Sequence, residues 1–401
     1  MTKRSFPLAR AGILMLYFIL LAGCWDSDEI EQLAIIMGSG FDLTEDGQIE
    51  GIVQIAIPAG VSGGKDNQPG PSPQQPFLTI SDNGFSAPEI INRLQQQLSQ
   101  KFFLGQRAVF VIGDAYARAG IEQALDWFMR SPDSRYSAYV LTAYNMKAKD
   151  ILTTQYNLEP ISSIALKKIM KGGSGYAETM DEFLYSVVNP DKPTLTGAVS
   201  LVDEGEAGKF FRIDRIAVYR NKKLIGFLNE RQTTMFSLFQ GKLKETNMTM
   251  QVESKNESLP GTTSIHIFGT DASIHTKIEG NKPHIELKFK AKSRIIENLN
   301  SLDLSKDENL RRIEQKFADK IEHALMELVQ VAQEQYKVDL FAFAEEVHIQ
   351  HPYYWKKSKD SWTDIFPTIP VNYQIELNIE RIGRNQGNIY THKNQNRGGN
   401  G

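Results

Sequence analysis

The chain has 401 residues, 41 % hydrophobic and 23 % charged, a globular composition that excludes general disorder and sets two or three domains as the expectation. Lys and Arg total 45 against 48 Asp and Glu, with the basic residues scattered, so the footprint of a nucleic-acid binder is missing. A single cysteine excludes an intramolecular disulfide framework and any multi-cysteine zinc or iron–sulfur site.

That cysteine closes the first element. Lys3, Arg4 and Arg10 form a basic n-region, and residues 11–21 (AGILMLYFILL) are an apolar run, long enough for a signal h-region but short of the roughly 20 residues that span a bilayer. Leu21-Ala22-Gly23-Cys24 resembles the lipobox of bacterial lipoproteins. The similarity implies that residues 1–23 are a lipoprotein signal peptide and that Cys24 is lipidated and becomes the mature N-terminus. Loss of residues 1–23 takes three positive charges from a net of −3 and leaves −6, so no polybasic patch can hold the domain to anionic lipid. Attachment then falls to the acyl chains, at about 0.8 kcal/mol per buried CH₂. The expected location is the outer face of a cytoplasmic membrane.

Residues 33–41 and 49–57 are β-rich and flank an Asp/Glu/Gly turn at 42–47, which reads as a hairpin. Residues 58–76, rich in Gly, Pro, Ser and Gln, read as a mobile surface loop. Ser86, with Glu89 three residues on, predicts the start of a helix running to about Gln100. A buried strand at 107–113, a short helix at 121–130 and a strand at 136–144 follow. Breaker-rich stretches at 189–193 and 203–208 place a domain boundary near 190–210. The expected division is an N-terminal α+β domain over 24–200 and a C-terminal α+β domain over 201–382, with 201–245 either part of the latter or a small middle subdomain.

Past that boundary, residues 212–228 read as two strands around Asn221-Lys222-Lys223, and Asn229 with Gln232 has the capping-box spacing for a helix to about Gln240. Residues 262–278 and 284–296 alternate as antiparallel strands do. Ser305 with Glu308 predicts a second capping box. Behind it Leu310, Ile313, Phe317, Ile321, Leu325, Leu328, Ala332 and Tyr336 recur at spacings of three or four, one apolar stripe along about 45 Å of helix. Such a stripe packs across a local antiparallel sheet or pairs in a coiled-coil dimer, the former being the commoner arrangement. A helix near 341–350, a strand at 372–382 and a disordered tail over 383–401 complete the reading. The fold class is multi-domain α+β, with mixed and antiparallel sheets packed with helices and a long amphipathic helix in the C-terminal domain.

Cys24-Trp25-Asp26 followed by Glu29-Ile30 and LAIIMGSGFD (33–42), then GFLNERQTTMFSLFQGKLK (226–244), then the block 338–383, resemble in the same order the spore-germination lipoproteins of the Ger(x)C or GerAC family, the C subunits of germinant receptors. Where the family has glycines in its D-x-F-G-F-G stretch this chain has Ala342 and Ala344, which argues for helical continuation there. The resemblance implies a lipid-anchored, non-catalytic subunit in the inner spore membrane that assembles and signals with two membrane-embedded subunits, A and B. It implies no catalytic residues. The membrane-proximal Trp25, Asp26, Glu29 and Ile30 are candidate partner contacts.

Glu345-x-x-His348 sets a carboxylate and an imidazole on one helical face. A carboxylate-bridged metal site needs that unit twice, and no second copy exists, so neither metal nor cofactor is expected. His266, His275 and His284 fall in strand-like stretches and read as surface or packing residues. No nucleophile elbow, phosphate loop or dinucleotide fingerprint is present, and Gly172-Gly173-Ser174-Gly175 reads as a loop. A different class of function is a lipid-anchored protein that captures a small molecule or glycan on an aromatic platform of Tyr353, Tyr354, Trp355, Trp362 and Phe366. Packing against the sheet edge is the favoured reading of these rings, because Pro352, Pro367 and Pro370 suggest a wrapped, ordered segment. Trp355 and Trp362 stay candidates for partner contact, and direct small-molecule binding is not expected.

Overall fold

Strand β1 (Leu33–Leu43) organises the first half of the molecule. It turns through Thr44 to Gly47, whose φ of +79° suits glycine, and pairs antiparallel with β2 (Ile49–Ala56), which pairs with β3 (Phe77–Gly84). On its other side β1 runs parallel to β4 (Lys101–Phe103) and β5 (Val109–Ile112). Parallel pairing continues to β6 (Tyr139–Ala143) and β7 (Thr194–Asp203), then turns antiparallel through β8 (Lys209–Arg220) and β9 (Lys223–Leu228). The result is a nine-stranded mixed sheet in the order β3-β2-β1-β5-β6-β7-β8-β9, with β4 beside β1. The computed structural model describes residues 30–57, 75–131, 136–173, 175–252, 261–300 and 302–381. The signal segment, most of the 58–76 loop and the 383–401 tail lie outside the described residues.

Helices cover both faces, as parallel strands require. Every residue of β5 is buried. Phe110 and Ile112 pack with α1 (Ala87–Gln96), α2 (Asp114–Ala119), α3 (Glu122–Arg130) and, further along the chain, α6 (Met180–Val188). Val109 and Val111 face α4 (Ala148–Thr153) and α5 (Ser162–Lys171). Ser86 caps α1 through the Glu89 amide at 3.4 Å as the sequence predicts, but the helix ends at Gln96. The glycines of β1 have a packing reason: a Cβ on Gly38 would lie 2.1 Å from Ser163 Oγ, and one on Gly40 would lie 2.6 Å from the Val111 carbonyl.

The first sheet runs across the expected boundary. Residues 203–208 do not link domains; they close the β7–β8 connection, and the sheet runs on to Leu228. Strands β8 and β9 extend the first sheet. Gly-rich residues that close a connection and those that join domains look alike in sequence.

Asn229 and Gln232 cap α7 (Glu230–Phe239) reciprocally. Beyond it lies a second sheet, β10 (Thr246–Gln251), β11 (Thr262–Glu279), β12 (Lys282–Asn298) and β13 (Val371–Arg381), antiparallel except that β13 joins β12 in parallel. Helix α8 (Asp307–Gln330), continued by a π-helical turn over Val331–Tyr336, lays Ile313, Phe317, Ile321, Leu325 and Leu328 against Ile265, Ile267, Leu287 and Phe289. The stripe is thus covered by a sheet of its own chain. Its start corrects the capping expectation: Lys306 is the N-cap residue, without a side-chain cap. The Ser305 hydroxyl instead donates to Asp303 at 2.7 Å, a closer and charged acceptor.

Three short helices follow, α9 (Phe343–Gln350), α10 (Pro352–Ser358) and α11 (Trp362–Ile365). Ala342 does not continue a helix. It has φ 58° and ψ 42°, the left-handed region, because the Asp339 carboxylate draws the chain round and accepts from the Phe343 amide at 2.9 Å and the Ala344 amide at 2.7 Å. The side chains of α7 join the two halves: Met235, Phe236, Leu238 and Phe239 share one core with Leu195, Ile216 and Val218 of the first sheet and Ile265 and Phe289 of the second.

Candidate functional site

The two halves meet at a cleft of about 450 Å³ lined by residues from both. The first half supplies Tyr176 and Glu178 from the α5–α6 connection, Glu182 and Tyr185 from α6, and Lys192. The second supplies Phe236 and Phe239 from α7, Lys242, Phe341 and Ala342, and Glu345 and Glu346 from α9. Thr179 and Glu182 form a capping box that fixes the start of α6, and Gly241, with φ +66°, turns the chain so that Lys242 faces back across the junction.

Charge pairs cross this junction. Lys242 Nζ meets Glu182 at 2.9 Å and Glu178 at 3.8 Å, Lys192 Nζ meets Glu345 at 3.1 Å, and His348 Nδ1 meets Asp191 at 3.2 Å. The Tyr176 hydroxyl donates to Glu178, whose carboxyl is pushed up by burial against the pull of Lys242. Burial likewise raises the Tyr176 phenol, and the Glu178 charge beside it adds to the rise. Glu345 and His348, the metal pair considered from sequence, therefore each turn to a residue of the first half. Among the described residues no group of three His, Cys, Asp or Glu side chains gathers in a metal-holding arrangement. Chemically the cleft is a clasp of paired acids and bases.

Asp339 is the most constrained carboxylate near the cleft. Besides the two amides of α9 it accepts the Trp362 indole N–H at 3.2 Å, and burial, opposed by those hydrogen bonds, holds its pKa at about 6. Trp362 and Trp355 stand edge to face at 5.2 Å and are only 8 % and 6 % exposed. Both belong to the core, which corrects their candidacy as partner contacts. Phe366 is buried with them, the Tyr354 hydroxyl donates to the Asn281 carbonyl at 3.4 Å, and only Tyr353 stands clear, so these rings form no platform. Cys24, Trp25, Asp26 and Glu29 lie outside the described residues. Ile30 opens a 3₁₀ turn over Ile30–Gln32 that leads straight into β1.

His266 pairs with Asn247 at 2.8 Å and Glu245 at 3.3 Å, and His284 approaches Glu279 at 4.0 Å. These are neighbours on or near the second sheet. Sequence reasoning missed Asp191, Lys192, Glu178 and Lys242. Asp191 and Lys192 sat inside a Pro-rich stretch read only as a breaker, and nothing in a linear pattern joins residue 192 to residue 345.

Residues 26–198 match the family model for the spore germination protein N-terminal domain, and residues 214–383 match that for the spore germination B3/GerAC-like C-terminal domain. The chain belongs to the GerAC family. Spore germination protein B3 of Bacillus subtilis is 25 % identical over 92 % of this chain and 97 % of its own length. Spore germination protein KC of the same organism is 22 % identical over 93 % and 95 %. The crystal structure of the GerBC protein superposes with a TM-score of 0.52 at 23 % identity, covering 88 % of this chain and all of that one. The family's N-terminal match stops within β7 and its C-terminal match begins within β8, although hydrogen bonding joins both strands in one sheet. The left-handed backbone at Ala342 accounts for a glycine there elsewhere in the family, since glycine adopts that region without strain.

Proposed function

We propose that this GerAC-family chain is the lipid-anchored, non-catalytic C subunit of a nutrient germinant receptor, working beside membrane-embedded A and B subunits on the outer face of the inner spore membrane. The observation that carries the reading is similarity along nearly the whole length to spore germination proteins. The lipobox at Cys24 supplies the attachment. Among the described residues no helix is long and apolar enough to cross a membrane.

In this reading the chain acts as a scaffold. The clasp of Lys192, Asp191 and Lys242 against α9 and α6, with the core shared through α7, holds both halves as one body whose orientation is set by the short segment after Cys24. A tagged full-length chain extracted from spore membranes should carry two multi-spanning proteins with it, and deletion of the chain should abolish the response to at least one nutrient. Extraction without such partners, or a deletion strain that germinates like its parent on every nutrient, would overturn the assignment.

A further inference from the structure

The cleft between the halves already holds two ammonium groups of the chain's own. Lys242 Nζ, which meets Glu182 at 2.9 Å, lies 5.9 Å from the centre of the Tyr176 ring. Lys192 Nζ, which meets Glu345 at 3.1 Å, lies 5.6 Å from the centre of the Tyr185 ring. A carboxylate and an aromatic face presented together suit an organic cation leaving water: the acid neutralises the charge, and the ring quadrupole replaces part of the lost hydration.

These two cations do not balance the walls. Glu178, Glu182, Glu345 and Glu346 line the cleft against Lys192 and Lys242, and among the described residues no arginine or histidine lines it. Lys242 is shared, since Glu178 is its second carboxylate at 3.8 Å. Among the described residues Glu346 meets no cation; its partner is the Gln350 side-chain amide at 2.7 Å. Glu178 is the costlier to leave so, with a side chain only 13 % exposed, because a buried carboxylate without a full countercharge loses hydration that nothing replaces. A third positive group in the cleft would relieve both.

The other walls select its kind. Phe236, Phe239 and Phe341 add apolar faces to the two tyrosines, and the volume of about 450 Å³ suits a small organic molecule. A bare metal ion would gain little from these rings, and among the described residues no three carboxylates gather to coordinate one. A carboxylate or phosphate would face walls of net negative charge. None of the rings between 353 and 366 lines the cleft, so this site is not the aromatic platform of the sequence reading.

We propose that the cleft between the halves is a binding site for a small organic ammonium with an apolar body, its charge answering the excess of Glu178 and Glu346 and its body packing on Phe236, Phe239 and Phe341. The proposal does not rest on the receptor assignment, and a chain that binds no amine can still dock with membrane subunits. It is tested by calorimetric titration of the full-length chain, in an uncharged detergent, with phenethylamine, 2-phenylethanol and 3-phenylpropionate. Phenethylamine should bind saturably, the alcohol about tenfold more weakly and the acid not at all. Glu346→Gln, at a half-buried position, keeps the shape and loses the charge, so it should weaken phenethylamine by about tenfold. Glu308→Gln, at an exposed position in the first turn of α8, should leave it unchanged. In the wild-type protein, nuclear Overhauser contacts from the ligand ring should reach Phe236 or Phe341, a readout that needs no variant. No saturable amine binding, equal affinity for the alcohol or the acid, undiminished binding in Glu346→Gln, an equal loss in Glu308→Gln, or ring contacts only outside the cleft would each overturn the proposal.

Discussion

The ring of Tyr336 lies against Gly226 so closely that a Cβ on the glycine would sit 2.5 Å from Cε1, while the Tyr336 hydroxyl donates to the neighbouring Phe227 carbonyl at 2.9 Å. The contact pins the π-helical end of α8 to β9 of the first sheet, and Arg220 adds a hydrogen bond to the Tyr336 carbonyl at 3.2 Å. Gly226→Ala should therefore cost about 1–3 kcal/mol by overpacking. Adding Tyr336→Ala should recover part of that loss, giving a clear coupling energy in a double-mutant cycle of denaturant unfolding. Additive single effects would show that the two residues do not press on each other.

Ala342 is held left-handed at a cost of about 1–2 kcal/mol for a residue with a Cβ. Glycine removes that strain but gains entropy when unfolded, so Ala342→Gly should stabilise the protein by about 0.5–1 kcal/mol net. The midpoint of urea denaturation reports it. A lower midpoint would mean that the backbone at 342 is not strained.

Two buried carboxylates set a pH dependence. Asp339, and Asp42 under the first turn of α4, both have pKa values raised from 3.8 to about 6, in each case by burial working against backbone hydrogen bonds. Asp42 accepts from the Ala148 amide at 2.7 Å and the Lys149 amide at 3.0 Å. A folded-state pKa above the unfolded value means that the folded state holds its proton longer. The contribution is full below pH 4 and is lost as pH rises through 6. Each group should take away roughly 3 kcal/mol across that window. Asp339→Asn and Asp42→Asn should each flatten the fall between pH 4 and 6, measured by denaturant unfolding at fixed pH steps. A stability that rises over this window in the wild type and is unchanged in both variants would contradict the linkage.

Most helices and strands were legible because their signals are local. The α8 stripe, the alternation of β11 and β12 and the caps at Ser86 and Asn229 depend on residues within a turn or two of one another. Partner strands were not legible. The period of β13 shows that it is a strand but not that it joins β12 in parallel, nor does any pattern show that β8 and β9 complete the first sheet. The Asp339 cap escaped because it works only through the left-handed turn at Ala342, where alanine argued for helix. The ring contacts of Arg107 escaped for a simpler reason: its place in a buried strand is legible, but no linear pattern joins residue 107 to the rings of Phe128 and Trp127.

Cys24→Ala should release the protein into the soluble fraction and leave its fold intact, because the only cysteine makes no intramolecular disulfide. Mass spectrometry of the membrane-extracted wild-type chain should find an N-terminal Cys24 carrying acyl chains. An unmodified Cys24, or a mature chain beginning elsewhere, would remove the anchor from the proposed function.

The proposed anchor bears on docking because only six residues take the chain from Cys24 to Ile30. Ile30 opens the turn that becomes β1, so an acylated Cys24, as proposed, would hold the first sheet within about 20 Å of the lipid headgroups even at the extended-chain limit. A tether that short restricts the orientation of the domain and raises its effective concentration toward any partner in the same bilayer. Trp25 and Ile30 suit packing as well as they suit a partner. Asp26 and Glu29 carry charges that belong at a surface, which makes them the informative pair. Asp26→Ala with Glu29→Ala should leave folding nearly unchanged, while recovery of the A and B subunits in pull-downs from spore membranes drops and germination slows. If the double variant brings down both subunits at wild-type levels and its spores germinate normally, docking runs through another face, and the segment after Cys24 serves only as a tether.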